Sequence, residues 1–261
     1  MYGEQPWGSR GTRTGDQEEI QKSLQRCDEA LARNPDDQRA WSARARNLHL
    51  LGRYPEALEA VDRALKLNPG DAASWYCAGN ILYAMGLYEE SLRARGMGLS
   101  LSPNHEEWYH QGLTLEKLGR HREVVQAMDQ CLSLNQAHAK AWARRATALN
   151  QLGRYSDALK ASQKALALTP HQSYSLYTMG VALALLQRCQ EALPVFDRIL
   201  SAIPQDPSTW VWKGFCYEHL GRPRDALQAY DQALTLEPGN EDAQKNRAAL
   251  QQKLGDTGKS G

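Results

Sequence analysis

Catalytic and metal-binding signatures are missing from this chain, and so is the apolar/polar alternation of strands. Each absence closes off a class of chemistry. Cys27, Cys77, Cys131, Cys189 and Cys216 are odd in number, widely scattered and never paired as CxxC. That argues against a disulfide framework and a zinc site and fits a reducing compartment. The seven histidines form no HExxH and share no ligand spacing, so no metal is expected. No glycine-rich phosphate loop follows a strand pattern and no GxSxG elbow occurs, so neither a cofactor nor intrinsic enzymatic activity is expected. No apolar run reaches the roughly eighteen residues that suggest a membrane span, and MYGEQPWGSRGTRTGDQEE lacks a signal peptide's apolar core. The expectation is a soluble cytoplasmic protein with no membrane partner. Lys and Arg number 31 against 30 Asp and Glu, a net charge of +1. There is no basic excess to engage a nucleic-acid backbone, so recognition has to come from local patches.

What the chain does have is punctuation at an even beat. Trp41, Trp75, Trp108, Trp142 and Trp210 are spaced by 34, 33, 34 and 68 residues, and Leu176 fills the long interval. Eleven residues after each comes a turn signal: Gly52, Gly86, Gly119, Gly153 and Gly221, with Gln187 as the exception. Pro69, Pro103, Pro170, Pro204 and Pro238 close the units, with Gln136 in the remaining place. Between these marks the apolar residues follow the 3.6 period of helices; Tyr54, Ala57, Leu58, Val61, Ala64 and Leu65 share one face. Each unit is therefore helix, glycine turn, helix, proline turn. A hairpin of this size cannot cover its own apolar face, so neighbours must stack. Ala57, Ala158, Ala192 and Ala226, five residues beyond the turn, allow close helix approach.

The spacing of Trp210, Gly214, Tyr217, Ala226, Tyr230, Ala233 and Pro238 resembles the tetratricopeptide repeat family. The resemblance implies an all-α fold, a right-handed superhelical solenoid of stacked helix-turn-helix repeats. Six repeats are expected at 38–71, 72–104, 105–138, 139–172, 173–206 and 207–240. A half-repeat helix precedes them at 16–37, where Ile20, Leu24, Cys27 and Leu31 share a face and Asp16 with Glu19 forms a capping-box-like start. A polar capping helix follows at 241–254. Residues 1–15 read as a disordered tail and 255–261 as a flexible one.

Two units depart from the pattern. The second places Ser91, Arg95 and Gly98 where Ala, an aromatic and Ala are expected; one reading is a hinge or a polar contact through Arg95, and the simpler one lays the Arg95 stem along the interface with its head in water. In the fifth, Gln187, Arg188 and Cys189 replace Gly-Arg-Tyr, so that hairpin is expected to bend differently.

The resemblance also implies that first helices line a concave groove. Its positions are Arg39, Ser42, Arg46 and His49, then Tyr76, Asn80 and Tyr83, then Tyr109, His110 and Glu116. Lys140, Arg144 and Asn150 follow, then Tyr174 and Tyr177, then Trp212 and Phe215. A groove this rich in aromatic and basic groups suits a peptide ligand, because Tyr and Arg anchor such interfaces. The peptide-binding set is Arg39, Arg46, Tyr76, Asn80, Tyr83, Tyr109, His110, Lys140, Arg144, Tyr174 and Tyr177. Within it, Asn80, Lys140 and Arg144 match three of five positions of the family's carboxylate clamp, while Tyr76 and His110 stand where a basic residue and an Asn are expected. The function expected is a non-catalytic adaptor holding a segment of a partner protein, with an acidic or C-terminal peptide as the candidate ligand. The alternatives are a self-assembling scaffold, with a homo-oligomer formed through the N-terminal half-repeat, and the repeat module of a larger enzyme or of a secretion or chaperone complex.

Overall fold

A computed structural model describes residues 14–257. The readings of residues 1–15 and 255–261 as tails fall largely outside them. Fourteen α-helices and no strand occur among the described residues. The chain divides into two compact units, Met1–Gln136 and Ala137–Gly261. The first unit contains α1 (Thr14–Arg33), α2 (Gln38–Leu50), α3 (Tyr54–Leu67), α4 (Ala72–Ala84), α5 (Tyr88–Leu101), α6 (His105–Lys117) and α7 (His121–Leu134). The second contains α8 (Ala139–Gln151), α9 (Tyr155–Leu168), α10 (Ser173–Leu185), α11 (Cys189–Ala202), α12 (Pro207–His219), α13 (Pro223–Leu236) and α14 (Glu241–Thr257).

Local chemistry sets where each helix begins. Four first helices are capped by short polar side chains: Asp37 accepts from the Ala40 amide, Asp71 from Ser74, Asn104 from Glu107 and Asp206 from Thr209. Second helices have no such cap. In most of them an arginine at the cap position pairs with an acid three residues on, as in Arg53–Glu56, Arg154–Asp157 and Arg222–Asp225. The hairpin turn itself needs a left-handed residue, and the five turn glycines have φ of 68–78°. The fifth unit uses the same turn. Gln187 adopts φ 62°, so it keeps the left-handed turn and accepts the backbone strain that glycine avoids.

Three of the repeated tryptophans stitch their unit to the loop before it. Trp41 Nε1 donates to the Pro35 carbonyl at 2.8 Å, Trp75 to Pro69 at 2.8 Å and Trp210 to Pro204 at 3.1 Å. Gln244 repeats the bond to Pro238 at the start of α14.

In each unit, hairpins close on themselves and then stack: α3 on α4 and α5 on α6 in the first unit, α9 on α10, α11 on α12 and α13 on α14 in the second. First helices also touch one another, α2 with α4 and, in the second unit, α8, α10, α12 and α14 in succession. One contact decides how close the helices of a hairpin come. Gly79, Gly112, Gly180 and Gly214 stand sixteen residues before Arg95, Met128, Phe196 and Tyr230. A Cβ on Gly180 would lie 2.5 Å from the Phe196 ring, one on Gly79 2.7 Å from Arg95 Cγ, and those on Gly112 and Gly214 would collide with Met128 and Tyr230. At the same offset Ala45 stands before Val61, and Ala146 before Ser162. Large meets glycine and small meets alanine, which keeps the volume at the crossing nearly constant.

Candidate functional site

Helix α2 carries Arg39 and Arg46 seven residues apart, hence on one stripe. Both are exposed, and neither forms an ion pair among the described residues. Neighbouring α4 presents Tyr76, Asn80 and Tyr83 along a single stripe, all half-buried. Neither α2 nor α4 contains an acidic residue.

The α4 side chains are partly claimed by the fold. The Tyr76 ring lies over Gly98 of α5, and its hydroxyl donates to the Ser102 carbonyl at 2.5 Å. Burial pushes its pKa up to about 12, helped by the Glu107 carboxylate and opposed by Arg95. Tyr83 packs edge-on against Tyr88, with ring centroids 5.4 Å apart. His49, expected at the groove, is buried with no hydrogen-bond partner for either ring nitrogen among the described residues. Its pKa is lowered by that burial and by the charge of Arg95.

Arg95 does not reach water. Its side chain is 2% exposed, with Nη1 donating to Glu107 Oε2 of α6 at 2.5 Å and Nη2 to Asn80 Oδ1 at 2.5 Å. The snorkelling reading is therefore corrected in favour of the polar contact: the Gly79 gap admits the stem, and the carboxylate and carboxamide replace the lost hydration. Burial drives the Glu107 carboxyl pKa up and that of the guanidinium down, while their mutual attraction opposes both shifts. Ser91 of α5 adds a second polar tie, donating to the Gly79 carbonyl at 2.7 Å.

On α6, Tyr109 is 4% exposed and as placed offers a ligand almost no surface. His110 beside it is half-buried, with the two rings 5.7 Å apart.

In the second unit Lys140 is exposed and Arg144 half-buried on α8. Arg144 lies 4.7 Å over the Tyr174 ring and donates to its hydroxyl at 3.2 Å; that hydroxyl also bonds Thr147 at 2.7 Å. Tyr177 accepts from Trp212 Nε1 at 3.0 Å, and burial raises its pKa. Trp212 meets Phe215 edge-on, and Phe215 lies 4.0 Å from the His219 ring. These aromatics link α8 to α10 and α10 to α12.

Of the peptide-binding set, Arg39, Arg46 and Lys140 are thus openly exposed. Tyr76, Asn80, Tyr83, His110, Arg144, Tyr174 and Tyr177 are half-buried and Tyr109 is buried. Asn80 belongs to the first unit, Lys140 and Arg144 to the second. Sequence reasoning missed the Arg95–Glu107 pair. Its signal was an arginine on the apolar face of α5 with a Glu twelve residues on, at the start of the next first helix.

A family model described as tetratricopeptide repeat matches residues 10–72, 50–95, 109–173 and 151–207, and a second with the same description matches 207–240. No curated protein sequence matches the chain. Among solved structures, the Cut9–Hcn1 hetero-tetramer of the APC/C superposes with a TM-score of 0.65 at 15% identity. The match covers 89% of this chain but only 46% of that one. YrrB, a TPR protein with an unusual peptide-binding site, gives 0.56 at 19% identity, over 85% of this chain and 97% of its own. PilF of Pseudomonas aeruginosa gives 0.66 at 15%, over 81% and 97%. At these identities the likeness establishes the fold.

Proposed function

Because the chain belongs to the tetratricopeptide repeat family, whose members mediate protein–protein interaction, we propose that it is a non-catalytic adaptor that binds an extended acidic segment of a partner protein. The observation that carries this reading is the pair of exposed arginines, Arg39 and Arg46, on a helix without acids, beside a second helix without acids. Neither is tied into an ion pair among the described residues. Exposed guanidinium groups on one stripe offer bidentate, charge-assisted bonds to carboxylates. The half-buried aromatics Tyr76 and Tyr83 of the neighbouring α4 supply apolar contact of the kind peptide anchors use. The peptide-binding site of YrrB, which shares this fold, supports a peptide ligand by analogy.

The experiment is selection of dodecapeptides from a random display library by the whole chain, followed by titration of the selected peptides. Selected peptides are expected to be rich in Asp and Glu and to bind more weakly as salt is added. Arg39→Ala with Arg46→Ala should weaken them by about tenfold or more, given the usual strength of a charge-assisted bond. Peptides without acids, or affinity indifferent to salt, contradict the reading.

Self-assembly through the N-terminal helix draws less support. Leu24, Cys27 and Leu31 of α1 are already buried, with Leu24 packed in the cluster that includes Ala45 and Leu48.

A further inference from the structure

Arg95 occupies a position where Met128, Phe196 and Tyr230 serve three other hairpins. Packing alone does not ask for it, because an apolar side chain fills the same gap without desolvating a charge. What arginine adds is a fixed donor aimed at Asn80. A guanidinium has no acceptor, so the group facing Nη2 must be the carboxamide oxygen, which settles the orientation of the amide. Glu107 holds the other terminal nitrogen, so the guanidinium is anchored at both ends of its fork. The Asn80 Nδ2 then points away from Arg95. It donates to no group among the described residues, and Asn80 as a whole is half-exposed.

We propose that Arg95 is a positioning residue that locks the Asn80 carboxamide with its oxygen inward and its two N–H groups outward. Asn80 becomes a donor-only reader, able to take a carbonyl or carboxylate oxygen of the ligand and unable to accept from a ligand N–H. This rests on the peptide-binding reading and deepens it. Arg39 and Arg46 on the helix packed against α4 are donor-only as well, and no acid stands on either helix to satisfy them. The α2–α4 face thus selects acceptors.

Two variants of the full chain separate positioning from folding. Asn80→Asp keeps an oxygen on Arg95 but turns a second oxygen outward. Its unfolding midpoint should equal or exceed that of the wild type, while affinity for peptides selected by the wild type from a random dodecapeptide library falls by about tenfold or more. Arg95→Met combined with Glu107→Met removes the buried pair together and should stay folded. In that variant ¹⁵N relaxation of the Asn80 carboxamide, measured without ligand, should change from rigid to mobile, and peptide affinity should drop by about tenfold. A carboxamide that stays rigid without Arg95, or unchanged peptide affinity in the double variant, overturns the proposal and leaves the peptide-binding reading standing. A library that returns no binder removes that reading, and the proposal with it.

Discussion

The hairpin α4–α5 and the hairpin α12–α13 solve one packing problem in opposite ways. In the second, Gly214 receives the Tyr230 ring, and the ring is fully buried. In the first, Gly79 receives the Arg95 stem, and the charged end is tied to Asn80 and Glu107. Both crossings are close because glycine leaves the room. They differ in what the large partner does beyond filling it. Tyr230 contributes burial of a large ring, which is stability. Arg95 contributes little net stability, since a buried ion pair barely offsets its desolvation, and what remains is the orientation of the groups it holds. A position that reads as the same packing site in every unit can therefore be structural in one and directional in another.

The contrast is easiest to break where the large partner is most structural. Tyr230→Ala should cost about 3–5 kcal/mol by urea unfolding, the usual loss for a buried aromatic. Next comes Gly214→Ala, whose Cβ collides with that ring; about 1–3 kcal/mol is expected. Gly79→Ala should cost a similar amount, because the atom it meets at 2.7 Å, Arg95 Cγ, lies near the root of a buried side chain whose head is pinned to Glu107 and Asn80. Gln187→Gly should stabilise the chain by about 1 kcal/mol, by relieving the left-handed strain that the other turns avoid. The smallest effect concerns His49. Its folded pKa is lowered by burial and then by Arg95, so the unfolded chain takes up the proton first as pH falls below about 6.5. Its contribution to stability is complete above that pH and is lost progressively below it. Unfolding free energies of the wild type and His49→Leu at pH 7.5 and 5.5 should show a shallower decline in the variant.

How far the sequence reached follows from which forces act locally. Tryptophan spacing, the turn glycines and the apolar period locate the hairpins because caps, left-handed turns and amphipathic faces are read within a few residues. Even the exceptional turn at Gln187 is a backbone requirement, so the flanking helices impose it on a residue that fits it poorly. The groove residues were less legible. Tyr76 and Asn80 hold positions expected, by the repeat register, to face a ligand, yet Gly98 and Arg95 of α5 decide how much of each is offered outward. Arg95 was misplaced because an arginine on an apolar face most often reaches solvent. Only the three-way convergence of α4, α5 and α6 shows that here it does not. The exposed arginines Arg39 and Arg46 needed no such convergence: no neighbouring ring among the described residues covers them as Tyr174 covers Arg144.

The measurement closest to the central claim, that the polar junction around Arg95 is not demanded by the fold, is an unfolding cycle of Glu107→Met, Arg95→Met and the two together. Glu107→Met strands a buried guanidinium and is expected to cost about 3 kcal/mol or more, whereas the double variant should recover to wild-type stability or above it. A double variant as unstable as the sum of the two single changes would contradict that claim.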